Sequence, residues 1–223
     1  MRTGHLQGTD SDRLTAHGLS LPVRVIFWVS IVIAVAVVVR RLLAFAHPSQ
    51  AGPAQMVSLD ATFASHTALT LVHILPAMAF VLLAPFVVVR GNTAVWVERL
   101  LFPLGAVVGI TAYGMSAYAV GGWVERSAVL LFNSLFLFSL GRAYLFWRRG
   151  ETVRKKRWML RAIGILLGIA TTRPVMGAFF ATSRLTHLEP SQFFGIAFWI
   201  GFSLNTIGVE LWLRRGLKNH FES

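Results

Sequence analysis

The sequence contains no cysteine, and this absence excludes several kinds of site. A chain without thiols has no disulfide, no thiolate metal centre, no iron–sulfur cluster and no covalently attached c-type haem. Charge is also scarce, because Asp, Glu, Lys and Arg make up 13% of the residues, compared with about 25% in soluble domains.

What the chain has instead is long apolar runs bounded by basic clusters. Hydrophobic residues make up 55% of its 223 residues, and the mean hydropathy is +0.64. The formal net charge of +12 could indicate nucleic acid, but the basic residues lie at the ends of apolar runs, as in membrane proteins. We therefore expect one all-α domain embedded in a lipid bilayer, with no nucleic-acid partner.

Six apolar segments are long enough to cross a bilayer as helices. The predicted spans, within a domain of residues 21–215, are 21–39, 65–89, 100–120, 127–147, 158–182 and 192–213. Residues 1–20 are predicted to be a disordered tail and residues 216–223 a second tail. The first span resembles a signal peptide at Ala44-Phe45-Ala46, but Arg40 and Arg41 disfavour cleavage there, so we expect a retained anchor.

The distribution of basic residues predicts the orientation of this six-helix bundle. An even number of spans places both termini on one side of the membrane. Fourteen of the 21 lysines and arginines lie on that side, six of them within residues 148–157, and four lie on the other side. The positive-inside rule therefore predicts a multi-pass protein with both termini in the cytoplasm.

Polar residues within the spans are the candidates for a functional site. An arginine near the membrane centre costs roughly 2.5–3.5 kcal/mol on insertion scales, so Arg173 is expected to face protein or water. By depth, His73 and His66 share its outer half, and Asn205 lies near the middle. No acidic residue falls inside a predicted span at the depth of Arg173. We expect these four side chains to bind an anionic or quinone-like ligand.

A second polar layer is predicted nearer the cytoplasm, and we interpret it as structural. It consists of Arg142, Arg161 and Glu210, and an ion pair between Glu210 and one of the arginines would satisfy both charges. No catalytic triad, paired acids or HExxH spacing is present, so the sequence predicts no catalytic residue and no metal site.

Because histidines lie in apolar helices, b-type haem is also a candidate cofactor. The iron needs a histidine on each face, and His66 and His73, seven apart on one helix, cannot flank one haem. His66 could pair with His187 or with His47 near the outer surface, and His66 with His187 is the pair that we expect in a haem-binding redox subunit. A transporter of small solutes or ions is a further alternative, disfavoured by the lack of an internal repeat.

Three stretches carry a resemblance: LVHILPAMAFVLLAPFVVVR (Leu71–Arg90), KKRWMLRAIGILLGIATTRPV (Lys155–Val175) and FWIGFSLNTIGVELWLRR (Phe198–Arg215). They resemble the histidine-bearing helix, the RWM-x-R segment and the closing helix of a bacterial family of membrane proteins catalogued as domain of unknown function 2306. The matching positions are His73, Arg157, Trp158, Met159, Arg161, Arg173, Trp199, Asn205 and Glu210.

The resemblance implies a helical bundle in the bacterial cytoplasmic membrane, and it implies no established activity. Family members often carry a histidine where this chain has Glu98-Arg99 and another where it has Lys156. From residues and resemblance together we expect a non-enzymatic integral membrane protein. It would bind a ligand at the Arg173 layer or serve as a subunit of an assembly, formed with copies of itself or with a partner subunit.

Overall fold

The computed structural model describes residues 20–47, 61, 63–89, 94–187 and 189–218, and these residues form helices and short connections without strands. The helices are α1 (Leu21–Ala46), α2 (Thr67–Val88), α3 (Val95–Ser116), α4 (Gly122–Arg148), α5 (Thr152–Leu166), α6 (Gly168–Thr186) and α7 (Pro190–Lys218). Six stretches are long and apolar enough to cross a membrane, with α5 and α6 together forming one of them. The predicted all-α membrane bundle is confirmed. The predicted tails, apart from Ser20 and residues 216–218, and most of the connection between α1 and α2 lie outside the described residues.

Several helices extend beyond the predicted spans because charged residues continue them. The first helix continues through Arg40 and Arg41 to Ala46. The third and fourth begin earlier than predicted, so Glu98 and Glu125 each fall in a first helical turn and are buried. Carboxylates are favourable at this position because they face the positive end of the helix dipole.

Contacts between helices fix their relative directions. His73, early in α2, reaches Thr111, late in α3, while Arg161, early in α5, reaches Glu210, late in α7. Most neighbouring helices are therefore antiparallel. The exceptions are α4 with α7, which the contact from Trp199 to Val124 shows to run the same way, and α1 with α6, which also share one direction. We call the end at which α1, α3 and α5 begin the basic end, and the opposite end the far end.

Among the described residues, the larger cluster of buried apolar side chains lies mainly between α2, α3, α4 and α5, and a smaller cluster lies between α6 and α7. Phe80 and Leu101 are fully buried in the larger cluster, and the rings of Phe80 and Phe136 meet edge to face at 5.9 Å. The outward faces are apolar as well, with large aliphatic side chains such as Ile110 and Ile26 more than half exposed. A helix that is apolar on all sides suits burial between protein and lipid, so these faces contact the bilayer.

Glycines allow the closest helix contacts. A Cβ atom added at Gly201 on α7 would lie 2.7 Å from the backbone nitrogen of Thr172 on α6. At the far end, a Cβ at Gly121 would lie 2.6 Å from the nitrogen of Gly195. Both pairs bring backbones together in the way that small residues do in membrane helix packing.

The fifth span is divided at Leu167, where the sequence predicts one continuous helix. The N–H of Ala170 donates to the carbonyl of Leu167 at 2.9 Å, which is the tighter bonding of a 3₁₀ turn. Pro174 follows, and its ring conflicts with the carbonyl four residues earlier, that of Ala170. The Thr172 hydroxyl donates to the Ile169 carbonyl at 2.7 Å, a bond that also tends to bend helices.

Candidate functional site

Arg173 lies on α6 among charged residues of the far end. Its Nη1 contacts the sulfur of Met176 at 3.6 Å, while its Nε is buried and has no hydrogen-bond acceptor within the described part of the chain. The charges of Arg41, Glu125 and Arg40 lie close enough to act on it. We call these three arginines with Glu125 the arginine cluster.

Glu125 is the acidic residue that sequence reasoning missed. Its side chain is buried, and Oε2 accepts a hydrogen bond from the backbone N–H of Gly121 at 2.7 Å, which caps the start of α4. The expectation that no acid lies within a span near Arg173 does not hold, because α4 begins at Gly122 and takes Glu125 into the bundle. Sequence position alone placed this residue in a loop.

His73 was expected beside Arg173, but the structure gives it other partners. Its Nδ1 lies 2.9 Å from Oγ1 of Thr111 on α3, and that hydroxyl donates to the carbonyl of Val107 at 2.7 Å. Because the hydroxyl hydrogen is used in this way, Nδ1 of His73 is assigned as the donor to Thr111. The described contacts of His73 do not include Arg173, so this histidine joins α2 to α3.

His66 also lies at the far end, in an aromatic contact. Its ring centroid is 3.6 Å from that of Tyr118, and its Nδ1 lies 2.9 Å from Oγ of Ser65. His187, the other proposed haem ligand, is exposed and has a positive φ of 54° at the end of α6. No contact between His66 and His187 is among those described, and nothing in the geometry favours a haem between them.

The polar layer at the basic end is held by Glu210. Nε of Arg161 donates to its Oε2 at 2.8 Å, and Nη2 donates to Oε1 at 3.3 Å. Nε of Arg214 donates to Oε1 at 3.1 Å. Arg142, which we expected in the same layer, is exposed and instead lies over the rings of Phe146 and Trp158, at 5.0 and 5.3 Å.

A further ion pair at the basic end was not anticipated. Nζ of Lys155 lies 2.5 Å from Oε1 of Glu98, which is buried at the start of α3. The predicted spans leave Lys155 in the connection between residues 147 and 158, but α5 begins at Thr152 and carries it into the bundle. The pair ties α3 to α5 and belongs to the structural contacts of this end.

Asn205 lies beside a cavity of about 380 Å³, and no residue of the arginine cluster lines this cavity. Its Nδ2 donates to Oγ1 of Thr171 and, at 3.2 Å, to the carbonyl of Gly201. The fifteen residues that line the cavity come from α1, α2, α5, α6, α7 and the turn at Leu167, and none of them carries a charge. The four predicted ligand-binding residues therefore lie in four different settings.

Metal chemistry gains no support from the described side chains. Within residues 20–47, 61, 63–89, 94–187 and 189–218, no group of three or more His, Asp or Glu residues is placed to hold a metal ion. Among the titratable side chains that the structure brings together are the arginine cluster and the ion pairs of Glu98 and Glu210 at the basic end.

Comparison with known proteins adds no further constraint. No family model matches the chain, and no curated protein or solved structure matches it. The resemblance to the family catalogued as domain of unknown function 2306 stays a prediction.

Proposed function

We propose that this multi-pass membrane protein is a non-enzymatic binding protein whose ligand carries an oxyanion, a phosphate or a carboxylate, bound at the arginine cluster. The observation that supports this most is the buried Nε of Arg173, which has no acceptor among the described residues. A buried charged donor without an acceptor is destabilising by about 1–3 kcal/mol or more. An anionic oxygen at this position would remove that cost.

The charges around Arg173 favour the same chemistry. Arg40 and Arg41 act on Arg173 as like charges, and Glu125 acts on it as the opposing charge. The carboxylate of Glu125 already accepts a hydrogen bond from Gly121. Planar guanidinium groups bind phosphate and carboxylate through paired N–H donors, and these bonds are about twice as strong as neutral ones.

The position of the cluster indicates where the ligand enters. Arg40 and Arg41 lie at the end of α1, and Glu125 lies at the start of α4, so the cluster belongs to the far end of the bundle. With both termini in the cytoplasm of a bacterial cell, as we also propose, the ligand reaches the site from the outer face. Its source is either a soluble anion or the phosphate of an anionic lipid in the outer leaflet.

A thermal-shift experiment with three probes tests this proposal. Protein in uncharged detergent is titrated with inorganic phosphate, acetate and phosphatidylglycerol. A ligand at 100 times its dissociation constant stabilises the folded state by about 2.7 kcal/mol, which corresponds to a rise in Tm of roughly 5–10 °C for a chain of this size. A response to phosphate or acetate indicates a soluble anion, and a response to phosphatidylglycerol alone indicates a lipid.

Two variants identify the site. Arg173→Gln is expected to abolish the shift and to be at least as stable as the wild type without ligand, since it removes a buried donor that lacks an acceptor. Arg126→Gln, an exposed arginine at the same end, is the matched control and should keep the full shift. An equal shift in Arg173→Gln and wild type, or none with any probe, would refute the proposal.

A further inference from the structure

A second site lies in the cavity beside Asn205, which is partly open to the outside of the bundle, since Ile26 and Leu204 in its wall are more than half exposed. Its volume of about 380 Å³ falls within the range of roughly 300–1,000 Å³ that is typical of small-molecule pockets. Val23 and Phe27 of α1, Leu160 of α5 and Trp212 of α7 are among its walls. The absence of charged residues from these walls favours an uncharged, mainly apolar ligand.

Two polar groups in the wall have unused hydrogen-bonding capacity. Thr171 Oγ1 accepts a hydrogen bond from Asn205, and no acceptor for its own hydroxyl hydrogen is among the described contacts. The Asn205 amide donates through Nδ2, and no described group donates to its Oδ1. A hydroxyl offers one donor and an amide oxygen offers acceptor sites, so the wall presents a donor and an acceptor side by side.

The depth of this pair distinguishes a ring-bearing ligand from an ordinary lipid. Asn205 lies near the middle of α7, and Thr171 lies just after the turn that divides the fifth span. The hydrocarbon core of a bilayer is about 30 Å thick, and the ester groups of phospholipids lie at its edges. A phospholipid would therefore place only methylene groups against Asn205 and Thr171.

We infer that this cavity binds a quinone, in its oxidised or reduced form. A quinone carbonyl accepts a hydrogen bond from the Thr171 hydroxyl, and a quinol hydroxyl donates to Oδ1 of Asn205. The uncharged ring and its apolar tail suit walls made of Val, Ile, Leu, Phe and Trp side chains. This inference does not depend on the arginine cluster, because no residue of the cluster lines the cavity.

Fluorescence quenching measures the binding directly. Trp212 lines the cavity, so a quinone bound there quenches its emission. Decylubiquinone is titrated into the purified full-length chain in detergent, and a saturable component is separated from the linear component caused by collisions with exposed tryptophans. The wild type is expected to show saturable quenching with one binding site per chain.

A pair of glycine variants separates the cavity from the rest of the surface. Gly208 lines the cavity, and a Cβ added there meets nothing within 4 Å, so Gly208→Leu places a side chain in the ligand volume without a clash. Gly141 is equally open and lies outside the cavity, so Gly141→Leu is the matched control. Gly208→Leu is expected to weaken binding at least about tenfold, and Gly141→Leu to leave the dissociation constant unchanged.

A third variant tests the polar pair without changing the shape of the cavity. Thr171→Val removes the hydroxyl and keeps the volume, and it is expected to weaken binding about three- to tenfold, as for the loss of one hydrogen bond. The inference is overturned by purely linear quenching in the wild type or by equal effects of Gly208→Leu and Gly141→Leu. If Gly208→Leu does not fold, an unchanged dissociation constant in Thr171→Val overturns it.

Discussion

Glu210 is the residue on which two arginines converge at the basic end. Its carboxylate accepts hydrogen bonds from Arg161 and from Arg214, and the guanidinium of Arg161 also lies 4.7 Å from the ring centre of Trp158. The Glu210 side chain is 34% exposed, so water screens part of the attraction. The electrostatic attraction between Arg161 and Glu210 is therefore weaker than it would be in a fully buried ion pair.

We predict that Glu210→Gln lowers the free energy of unfolding by about 1 kcal/mol, the upper range for partly exposed ion pairs. The reason is that Arg161 loses its carboxylate while it remains partly buried. For a chain of this size the loss corresponds to a fall in Tm of about 2–4 °C, measured by thermal denaturation in detergent.

Glu189→Gln is the control for this prediction, because Glu189 is an exposed acid outside the bundle. It should leave Tm within one degree or so of the wild type, as surface substitutions usually do. If the two variants behave alike, Glu210 has no structural role beyond that of a surface carboxylate.

Single residues also show where the sequence was informative. The depth of Arg161 and Glu210 along their helices was enough to propose a layer that contains both. Depth gives no rotational position, so it could not show that Arg142 lies over aromatic rings or that His73 bonds to Thr111. Glu125 was missed because its burial depends on where α4 begins, which hydropathy does not define to within one turn.

At the level of helices, α6 and α7 are brought together by a glycine. Gly201 lies against the backbone of Thr172, which is fully buried and cannot move aside as a flexible side chain would. Gly208, seven residues further along the same helix, has no neighbour within 4 Å of an added Cβ. The two glycines share a helix and differ in what they face.

This difference predicts opposite effects of the same substitution. Gly201→Ala is expected to destabilise the protein by about 1–3 kcal/mol, since the added methyl group overlaps the α6 backbone. Gly208→Ala is expected to be neutral or to stabilise by up to about 1 kcal/mol, because alanine favours helix where no clash arises. Thermal denaturation of both variants checks this, and a stable Gly201→Ala would mean that the helices are further apart.

The sequence predicted the six spans, because runs of about 20 apolar residues have few other structural explanations. It did not predict the turn at Leu167. Pro174 lies in that span, but the 3₁₀ bond forms before it, at Ala170. The position at which a strained helix bends depends on the helices packed against it. Here Gly168 packs closely against Phe202 of α7, and a single sequence does not contain that information.

For the whole molecule, the orientation in the membrane is the property that decides which compartment each site faces. The direction of every helix within the bundle follows from contacts, whereas the side on which the basic end lies follows only from charge. We predict that the basic end is cytoplasmic. The absence of cysteine makes the wild type an unlabelled background for testing this.

Two single-cysteine variants suffice for the test. Ala117→Cys places a thiol at the far end, just after α3, and Thr152→Cys places one at the basic end, where α5 begins; both positions are exposed. In intact spheroplasts a membrane-impermeant maleimide should label Ala117→Cys, and it should label Thr152→Cys only after the membrane is permeabilised. The reverse pattern would place the arginine cluster on the cytoplasmic side.

The turn at Leu167 connects the two proposed sites, the arginine cluster and the cavity beside Asn205. Thr171 and Arg173 both lie on the short piece of α6 that follows this turn, one beside the cavity and the other in the arginine cluster. If α6 pivots at this turn, both side chains move together. By thermodynamic linkage, an anion that favours one angle of the hinge changes the affinity for a quinone by the same factor as the quinone changes the affinity for the anion.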